Sequence, residues 1–345
     1  MKILIVAELS ANHNGSIQLA KETIKKMKEC GADAVKIQTY TPDTITLNSK
    51  KSEFILKNGS IWDGMDLFTL YSGAYTPWEW HIELQEYAHS IGLIFFSSPF
   101  DFSAVDFLDS LNVPYYKIAS FEITDIPFIK HAALKGKPII ISTGIATLDE
   151  IQEAVEACRS VGNYEITLLK CTSQYPSLIE DANLSAIPDM RERFGVDIGL
   201  SDHTMGYVVP LVSVSYGVTL IEKHFILDRS LGGPDASFSM EPDEFAEMVK
   251  YIRAAEASIG SIDYEMTEKK QKSRVFSRSL FAVKPIKKGE KFTNDNIRSI
   301  RPHHGLKPKY LPIILGAIAN KDIDFATPLS WDMIEGGESL IRSSK

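Results

Sequence analysis

Ionisable and hydroxyl-bearing side chains follow a series of short apolar runs along the first two thirds of the chain. Lysines and hydroxyl groups together suit a small anion that carries phosphate and carboxylate groups. A lysine in such a place can alternatively form an imine with a carbonyl substrate or serve as an ion-pair partner within the fold. The residues are Glu8, Lys36 with Gln38, Ser97 with Ser98, Lys117 with Ser120, Ser142 with Thr143, Lys170 with Thr172 and Ser173, Ser201 with Asp202 and His203, and Glu222 with His224.

Two histidines, His203 and His224, end two successive apolar runs. Such a pair could bind a divalent metal, with carboxylates such as Asp202, Glu222 and Glu8 or water completing the coordination. A single histidine is more often a hydrogen-bonded core residue.

A third histidine, His13, lies in the sequence Asn12-His13-Asn14-Gly15. We expect a tight turn there, and a polar contact to a ligand is the alternative.

The apolar runs are predicted to be β-strands, because helical patterns separate them. Eight strands alternating with helices favour an α/β fold, the (β/α)8 barrel, in which working residues project from the C-terminal ends of the strands. A doubly wound sheet is the alternative, but no glycine-rich dinucleotide turn follows the first strand. The predicted strands are residues 3–7, 34–37, 93–96, 115–118, 138–141, 166–169, 196–200 and 219–221.

Helix boundaries are signalled by residue types at the expected positions. Ser16 precedes a helical pattern, and Pro242 opens a long one that ends near Gly260. Thr76-Pro77-Trp78-Glu79 and Thr147-Leu148-Asp149-Glu150 have the pattern of a capping box. Residues 42–72 are rich in Asn, Ser, Lys and Gly, and we expect a loop or a small hairpin over the barrel mouth.

The character of the sequence changes after Tyr264. We predict a barrel domain over residues 1–264, a linker over residues 265–277 and a second domain over residues 278–345. The linker is polar, and its cluster of Lys269, Lys270 and Lys272 is interpreted as solvated surface. The second domain consists of short β-like pieces and turns.

Composition excludes several classes of function. With 45 acidic and 37 basic residues the net charge is −8, so no basic field favours nucleic acid. Three cysteines are too few and too scattered for a disulfide framework or a cysteine metal site. No stretch suits a membrane span, and the first apolar run is too short for a signal peptide. We therefore expect a cytoplasmic protein without a membrane partner.

The residues at the predicted mouth resemble the motifs of the sialic acid synthase family. The resemblance covers essentially the whole chain in collinear order, and the C-terminal part, from Ser277-Arg278-Ser279-Leu280 to Arg301-Pro302, resembles the antifreeze-like SAF domain of those enzymes. The barrel motifs are Ala7-Glu8-Leu9-Ser10-Ala11-Asn12-His13-Asn14-Gly15, Lys36-Ile37-Gln38-Thr39, Ser97-Ser98-Pro99-Phe100, Tyr116-Lys117-Ile118-Ala119-Ser120, Ser142-Thr143-Gly144, Cys171-Thr172-Ser173-Gln174-Tyr175-Pro176, Gly199-Leu200-Ser201-Asp202-His203-Thr204 and Ile221-Glu222-Lys223-His224-Phe225.

This resemblance implies an enzyme that condenses phosphoenolpyruvate with an open-chain N-acetylated amino sugar. A divalent metal is implied, with Mn²⁺ favoured and Mg²⁺ or Co²⁺ as alternatives. Leu9-Ser10-Ala11 and Ala119-Ser120-Phe121-Glu122 favour the branch that makes pseudaminic acid. For that branch the sugar would be 2,4-diacetamido-2,4,6-trideoxy-L-altrose, and a role in flagellin glycosylation would follow.

The resemblance also implies a role for each matching residue. His203 and His224 would bind the metal and, with Glu8 and Lys117, form the catalytic set. Glu8 would also contact the sugar, together with Gln38, Tyr175, Asp235 and Arg301, the last reaching from a partner subunit in a domain-swapped homodimer. The residues implied to bind phosphoenolpyruvate are Lys36, Ser98, Lys117, Ser120, Ser142, Ser173 and Ser201.

Three competing functions remain open from the sequence. One is a Schiff-base aldolase on the same barrel, with Lys117 or Lys170 as the nucleophile. Another is a carbohydrate-binding protein without catalysis, in which the SAF domain dominates. The third is the sister activity, synthesis of N-acetylneuraminate or legionaminate.

Overall fold

Eight parallel strands form a closed barrel in the computed structural model, which describes residues 2–57, 59 and 61–337. The strands are β1 (Leu4–Glu8), β2 (Ala34–Thr39), β3 (Ile94–Pro99), β4 (Tyr116–Ile118), β5 (Ile139–Ser142), β6 (Ile166–Cys171), β7 (Asp197–Asp202) and β8 (Leu220–His224). Neighbours pair in chain order, and β8 closes on β1 with Glu8 opposite His224. The predicted (β/α)8 barrel is confirmed, and the doubly wound alternative is wrong.

The helices of this part of the chain follow the strands and cover the barrel. They are α1 (Ile17–Glu29), α2 (Pro42–Ile45), α3 (Leu67–Ala74), α4 (His81–Ser90), α5 (Phe102–Ser110), α6 (Ile126–Ala133), α7 (Leu148–Arg159), α8 (Ala186–Phe194), α9 (Val208–Ser215) and α10 (Pro242–Ile259). Except for α2 and α3, their apolar faces pack on the outer side of the strands in one continuous core. No helix in the described part of the chain is long and apolar enough to cross a membrane.

Two of the predicted helix starts have the expected caps, and a third does not. The Ser16 hydroxyl accepts from Leu19 N at 3.2 Å, and Thr147 forms the reciprocal box with Glu150. The capping box predicted at Thr76 is wrong. Pro77 leads into a single 3₁₀ turn, and the buried Thr76 hydroxyl contacts His13 Nε2 at 3.3 Å instead of a helix amide.

The excursion between β2 and α4 (residues 42–72) contains more structure than predicted. Helix α2 and most of α3 lie within it, and Ile55 and Asp66 form an antiparallel bridge. The bridge agrees with the predicted small hairpin. Helix α3 was not predicted, because it is short and its buried positions, Leu70 and Ala74, show only one turn of helical spacing.

The lower interior of the barrel is filled by six apolar side chains, Val6, Ala34, Phe96, Ile140, Leu169 and Leu220. Side chains alternate between the two faces of a strand, so the residue two positions later points into the same interior, one layer nearer the mouth. That layer consists of Glu8, Lys36, Ser98, Ser142, Cys171 and Glu222. The apolar layer therefore forms the floor of a polar chamber.

A second compact unit begins at Ser261. Strands β9 (Ser279–Ala282) and β10 (Ile297–Ile300) pair antiparallel around a small core that includes Phe292. Its helices are α11 (Glu268–Ser273), which lies inside the segment predicted to be a linker, and α12 (Leu311–Ile314). The last eight residues of the predicted second domain, 338–345, lie outside the described residues.

Candidate active site

Four charged side chains meet inside the barrel mouth, from β1, β2, β4 and β8. They are Glu8, Lys36, Lys117 and Glu222, and none is more than 4% exposed. Lys36 Nζ lies 2.7 Å from Glu8 Oε2 and 3.5 Å from Glu222 Oε1, and Lys117 Nζ lies 3.8 Å from the same Glu222 oxygen. Two lysines and two carboxyl groups face one another here, and their pairing lowers the cost of burying charge in this place.

Burial and pairing set the protonation of this cluster. Burial acts to lower the pKa of Lys36, but Glu222 and Glu8 outweigh it and raise the pKa above its ordinary value. The pKa of Lys117 is lowered, because burial outweighs the attraction of Glu222. Burial raises the pKa of Glu8 well above its ordinary value, although Lys36 acts to lower it. At Glu222 burial also acts to raise the pKa, but the attraction of Lys117 and Lys36 is larger and lowers it. Glu222 is thus the stable anion, and Glu8 can hold a proton.

Hydroxyl groups from β4, β5 and β6 crowd around Gly144. Its backbone N donates to Ser120 Oγ at 3.1 Å, and a Cβ placed on it would lie 2.1 Å from Ser173 Oγ. Only glycine therefore fits between these hydroxyls. Ser142 Oγ is buried and has no hydrogen-bond partner among the described residues. The unpartnered Ser142 hydroxyl, with the hydroxyls of Ser120 and Ser173 nearby, suits an oxyanion.

Two further serines contact the charged cluster directly. Ser98 Oγ accepts from Lys36 Nζ at 3.1 Å, and Ser201 Oγ donates to Glu222 Oε1 at 3.3 Å. The structure thus brings to one mouth all the residues predicted to bind phosphoenolpyruvate, namely Lys36, Ser98, Lys117, Ser120, Ser142, Ser173 and Ser201.

His203 and His224 lie side by side at the ends of β7 and β8, with ring centroids 5.3 Å apart. His203 Nδ1 donates to Thr172 O at 3.0 Å, so Nε2 is the ring nitrogen that remains for another contact. His224 Nδ1 is buried without a hydrogen-bond partner among the described residues. Burial, with His203 and the lysines nearby, holds the pKa of His224 well below its ordinary value, so this imidazole is neutral.

A neutral imidazole with an unpartnered nitrogen is the form that a divalent metal binds. His224 has this form. His203 differs, because its interaction with Cys171 raises the pKa of the ring against the effect of burial, so His203 would have to release a proton to become the second ligand. In the described residues no group of three or more His, Cys, Asp or Glu side chains could hold one. Substrate or water oxygens would have to supply the remaining positions, as at an open metal site.

A cavity of about 440 Å³ opens above the charged cluster. One wall is apolar and comes largely from the excursion, through Ile45, Leu56, Leu67 and Leu70. The rest is aromatic or polar and includes Tyr40, Trp62, Tyr71, Phe100, Phe121, Ser10, Gln38, Glu122, Tyr175, His224 and Asp235. Its size suits a monosaccharide-sized ligand, and the mixed lining suits one with both methyl and polar groups.

Gln38 and Asp235 are connected across this cavity through Ser10. Gln38 Nε2 donates to Ser10 Oγ at 3.1 Å, and Ser10 Oγ in turn donates to the Asp235 carboxylate. Tyr175 packs against His203 with ring centroids 4.4 Å apart. The predicted sugar ligands Glu8, Gln38, Tyr175 and Asp235 therefore lie in or beside one cavity.

Arg301, the remaining predicted sugar ligand, belongs to the second unit. It is exposed there, directly after β10.

Two residues of the mouth were missed by the sequence analysis. Cys171 contacts Ser120 and Ser173 at 3.7 and 3.8 Å, and interaction with His203 lowers the pKa of its thiol to about 7 against the effect of burial. Glu122 lines the cavity, its Oε2 has no hydrogen-bond partner in the described part of the chain, and burial raises its pKa to about 7. Strand alternation could have identified Cys171, two positions after Leu169. Glu122 lies in a 3₁₀ turn, where no such periodicity applies.

Two residues considered from sequence do not face the mouth. Leu169 and Cys171 point inward, so Lys170 between them points to the outer face, and its Nζ donates to Cys171 O at 3.2 Å. Asp202, expected near the histidine pair, forms a buried ion pair with Lys223 instead. Both positions have the wrong parity for the barrel interior.

The tight turn predicted at His13 is confirmed. His13 is buried, and its Nδ1 accepts from Gly15 N at 3.1 Å. Its ring supports the loop after β1 and does not line the cavity.

The fold and the mouth together define a (β/α)8-barrel enzyme with a buried cluster of lysines, carboxyl groups and hydroxyls beside a histidine pair. Residues 23–264 match the NeuB family, and residues 277–335 match the SAF domain. The chain belongs to the NeuB family.

Curated relatives match over nearly the full length. Pseudaminic acid synthase of Helicobacter pylori is 52% identical, covering 96% of this chain and 97% of its own length. Pseudaminic acid synthase of Campylobacter jejuni is 48% identical, with 95% of each chain covered. Among solved structures, the spore coat polysaccharide biosynthesis protein SpsE of Bacillus subtilis is similar with a TM-score of 0.65 and 33% identity, covering 96% of this chain and 95% of that one.

Proposed function

We propose that this protein is a nonulosonate synthase that condenses phosphoenolpyruvate with 2,4-diacetamido-2,4,6-trideoxy-L-altrose and releases pseudaminic acid and phosphate. The observation that carries the proposal is the mouth itself, where two lysines, several hydroxyls and a histidine pair lie beneath a monosaccharide-sized cavity. The names of the relatives at 52% and 48% identity support the same reaction and sugar.

Phosphoenolpyruvate would bind at the charged cluster. Lys36 and Lys117 supply the positive charge, and the hydroxyls of Ser120, Ser142 and Ser173 around Gly144 supply donors for the phosphate or carboxylate oxygens. In the structure Glu222 Oε1 lies 3.5 Å from Lys36 Nζ and 3.8 Å from Lys117 Nζ. The trianionic ligand would compete with Glu222 for them, so its binding should draw the lysines away from that carboxylate.

We propose His203 and His224 as the protein ligands of a divalent metal, with Mn²⁺ favoured and Mg²⁺ or Co²⁺ as alternatives. When bound, such an ion would act as a Lewis acid on an aldehyde oxygen. His203 is oriented for this role by its Nδ1 contact to Thr172 O, which fixes the nitrogen that carries the hydrogen.

The sugar would lie in the cavity above. Gln38, Asp235 and Glu122 offer hydrogen-bonding groups for its hydroxyl and acetamido groups, and Tyr175 packs beside the histidine pair. The apolar wall from the excursion would take up the acetyl methyls and the methyl at C6. A sugar with a C6 hydroxyl would leave that hydroxyl without partners against this wall, which disfavours it.

The chemistry follows from this placement. C3 of phosphoenolpyruvate forms a bond to the aldehyde carbon, while Glu8 in its protonated form donates a proton to the aldehyde oxygen. Water then adds at C2 and gives one proton back to the Glu8 carboxylate. The new C2 hydroxyl passes its proton to the departing phosphate, which leaves with the bridging oxygen, and C2 becomes the ketone carbon. The lysines hold the anion in position against the aldehyde throughout, and no imine is required.

We also propose a domain-swapped homodimer in which Arg301 of a partner subunit contacts an acyl group of the sugar. The support is chemical, since an exposed arginine offers several donors for an acetamido carbonyl. Cytoplasmic location and a role in flagellin glycosylation are proposed with it, from the same family resemblance.

Phosphate release with a panel of sugars tests the proposal. The protein is incubated with phosphoenolpyruvate, Mn²⁺ and the open-chain precursor of pseudaminic, legionaminic or N-acetylneuraminic acid, and the products are identified by mass. We expect the altrose derivative to give the highest kcat/KM, and EDTA to abolish turnover reversibly. Preference for another sugar would assign the sister activity, and covalent trapping of pyruvate by borohydride would indicate an aldolase.

A further inference from the structure

Asn12, in the loop after β1, makes two hydrogen bonds that join distant parts of the barrel mouth. Its Nδ2 donates to Phe225 O at 2.9 Å and to Ser239 Oγ at 2.8 Å. Asn12 is 1% exposed and Ser239 is fully buried. Water cannot replace these donors, because the amide is enclosed by protein.

Each of the two acceptors leads to a residue of the proposed site. Phe225 directly follows His224 in the chain. Ser239 Oγ donates onward to Asp235 O at 2.6 Å, in the loop between β8 and α10. One side-chain amide therefore fixes the backbone next to the metal-binding candidate and the backbone of a sugar-binding candidate.

The same loop is held against the β1 loop at two more points. Asn14 Nδ2 donates to Leu231 O at 3.1 Å and to Gly232 O at 3.3 Å. The Asp235 carboxylate accepts from Ala11 N at 3.3 Å as well as from Ser10 Oγ. The β8–α10 loop thus depends on the β1 loop for its position.

We propose that Asn12 is a positioning residue for the sugar, acting through Ser239 on Asp235 and through Phe225 on His224. This inference rests on the proposed function. Neither Asn12 nor Ser239 lines the cavity, so they act on the sugar only through the residues that they hold. The turn formed by Asn12-His13-Asn14-Gly15 thereby gains a role in substrate binding besides its structural one.

Two substitutions separate the two connections. Ser239→Ala removes the contact to Asp235 and leaves the Asn12 contact to Phe225. Asn12→Asp keeps the shape of the side chain but replaces the donor with an oxygen. This oxygen faces the carbonyl of Phe225 without a hydrogen bond, and Ser239 can donate to it only by turning its single hydrogen away from Asp235 O, so both connections are lost. We expect Ser239→Ala to raise the KM for the sugar about tenfold with kcat within about twofold of wild type. Asn12→Asp should raise that KM and also lower kcat.

The KM for phosphoenolpyruvate serves as the internal reference and should stay within about twofold in both variants. Asn163→Asp is the matched control, because Asn163 is also buried and also donates to two backbone carbonyls, Ala133 O and Lys137 O. Asn163 lies just before the start of β6, at the end of the barrel opposite the mouth. The substitution should lower the melting temperature without changing the KM for the sugar.

The outcomes are distinct. An unchanged KM for the sugar in Ser239→Ala and Asn12→Asp would overturn the inference while the proposed function stands. A parallel rise of both KM values, or the same kinetic change in Asn163→Asp, would also overturn it by indicating a general loss of structure. If the wild-type protein converts none of the sugars, the proposed function fails and this inference fails with it.

Discussion

The balance between burial and lysine contacts determines which carboxyl groups of the mouth carry a charge. Glu222 faces two lysines, and its pKa is lowered although burial alone would raise it. Glu122 is buried beside the cavity, and there burial outweighs the attraction of Lys117 and raises the pKa from 4.5 to about 7. Residues of one type therefore have opposite protonation preferences within one site.

A glutamine at Glu122 should reveal the cost of ionising this carboxyl. Because the folded pKa is raised, the protonated group favours the folded state below pH 4.5, and this contribution is lost as the pH rises through about 7. We expect wild type to lose roughly 3 kcal/mol relative to Glu122→Gln over that interval. Urea unfolding at a series of pH values measures it.

Glu153→Gln on the exposed face of α7 is the control for that experiment. Its stability should follow the pH dependence of wild type. A Glu122→Gln profile parallel to wild type would show that Glu122 ionises as freely in the folded state as in the unfolded chain.

At the scale of elements, strand alternation positions the site. The floor residues Val6, Ala34 and Phe96 are each followed two positions later by a mouth residue, and the same spacing leads from Leu220 to Glu222 and on to His224. The alternation of strands with helices was sufficient to predict the barrel, and the residue types at the strand ends were sufficient to predict most of the mouth. The same alternation explains why Lys170 and Asp202 face outward.

The parts that the sequence did not predict depend on tertiary contacts. The Thr76 hydroxyl matches a capping pattern, but its partner is the buried ring of His13, far away in the chain. Helix α3 has only eight residues and buries only Leu70 and Ala74, which is too short a pattern for periodicity to reveal it. Glu122 lies between Phe121 and Ile123 in a 3₁₀ turn, and only the folded chain shows that its Oε2 is enclosed with no hydrogen-bond partner among the described residues.

At the scale of the whole molecule, the chain consists of a barrel unit and a smaller unit that begins at Ser261. The smaller unit has its own core, built from residues such as Leu280, Phe292 and Ile323. It carries Arg301, the predicted sugar ligand that does not belong to the barrel. A site completed by this arginine from a partner subunit makes a specific kinetic prediction.

Mixing two inactive variants tests that prediction. Arg301→Ala and Lys117→Ala subunits should each be nearly inactive alone. After subunit exchange about half of the dimers should contain one subunit of each kind, and each of these has one intact mouth. Up to about a quarter of the wild-type activity should therefore return. Size-exclusion chromatography with differently tagged subunits verifies the exchange. Confirmed exchange without recovered activity would show that Arg301 does not act in trans.

The central claim is that the barrel mouth joins phosphoenolpyruvate to the sugar and cleaves the C–O bond at C2. Turnover in ¹⁸O-labelled water, read from the mass of the released phosphate, tests it most directly. Phosphate is the informative product, because a ketose exchanges its own C2 oxygen with water. The account predicts unlabelled phosphate in amounts equal to the nine-carbon acid formed. Labelled phosphate would mean that water attacks phosphorus, and phosphate released without the condensed acid would mean simple hydrolysis. Either result would contradict the account.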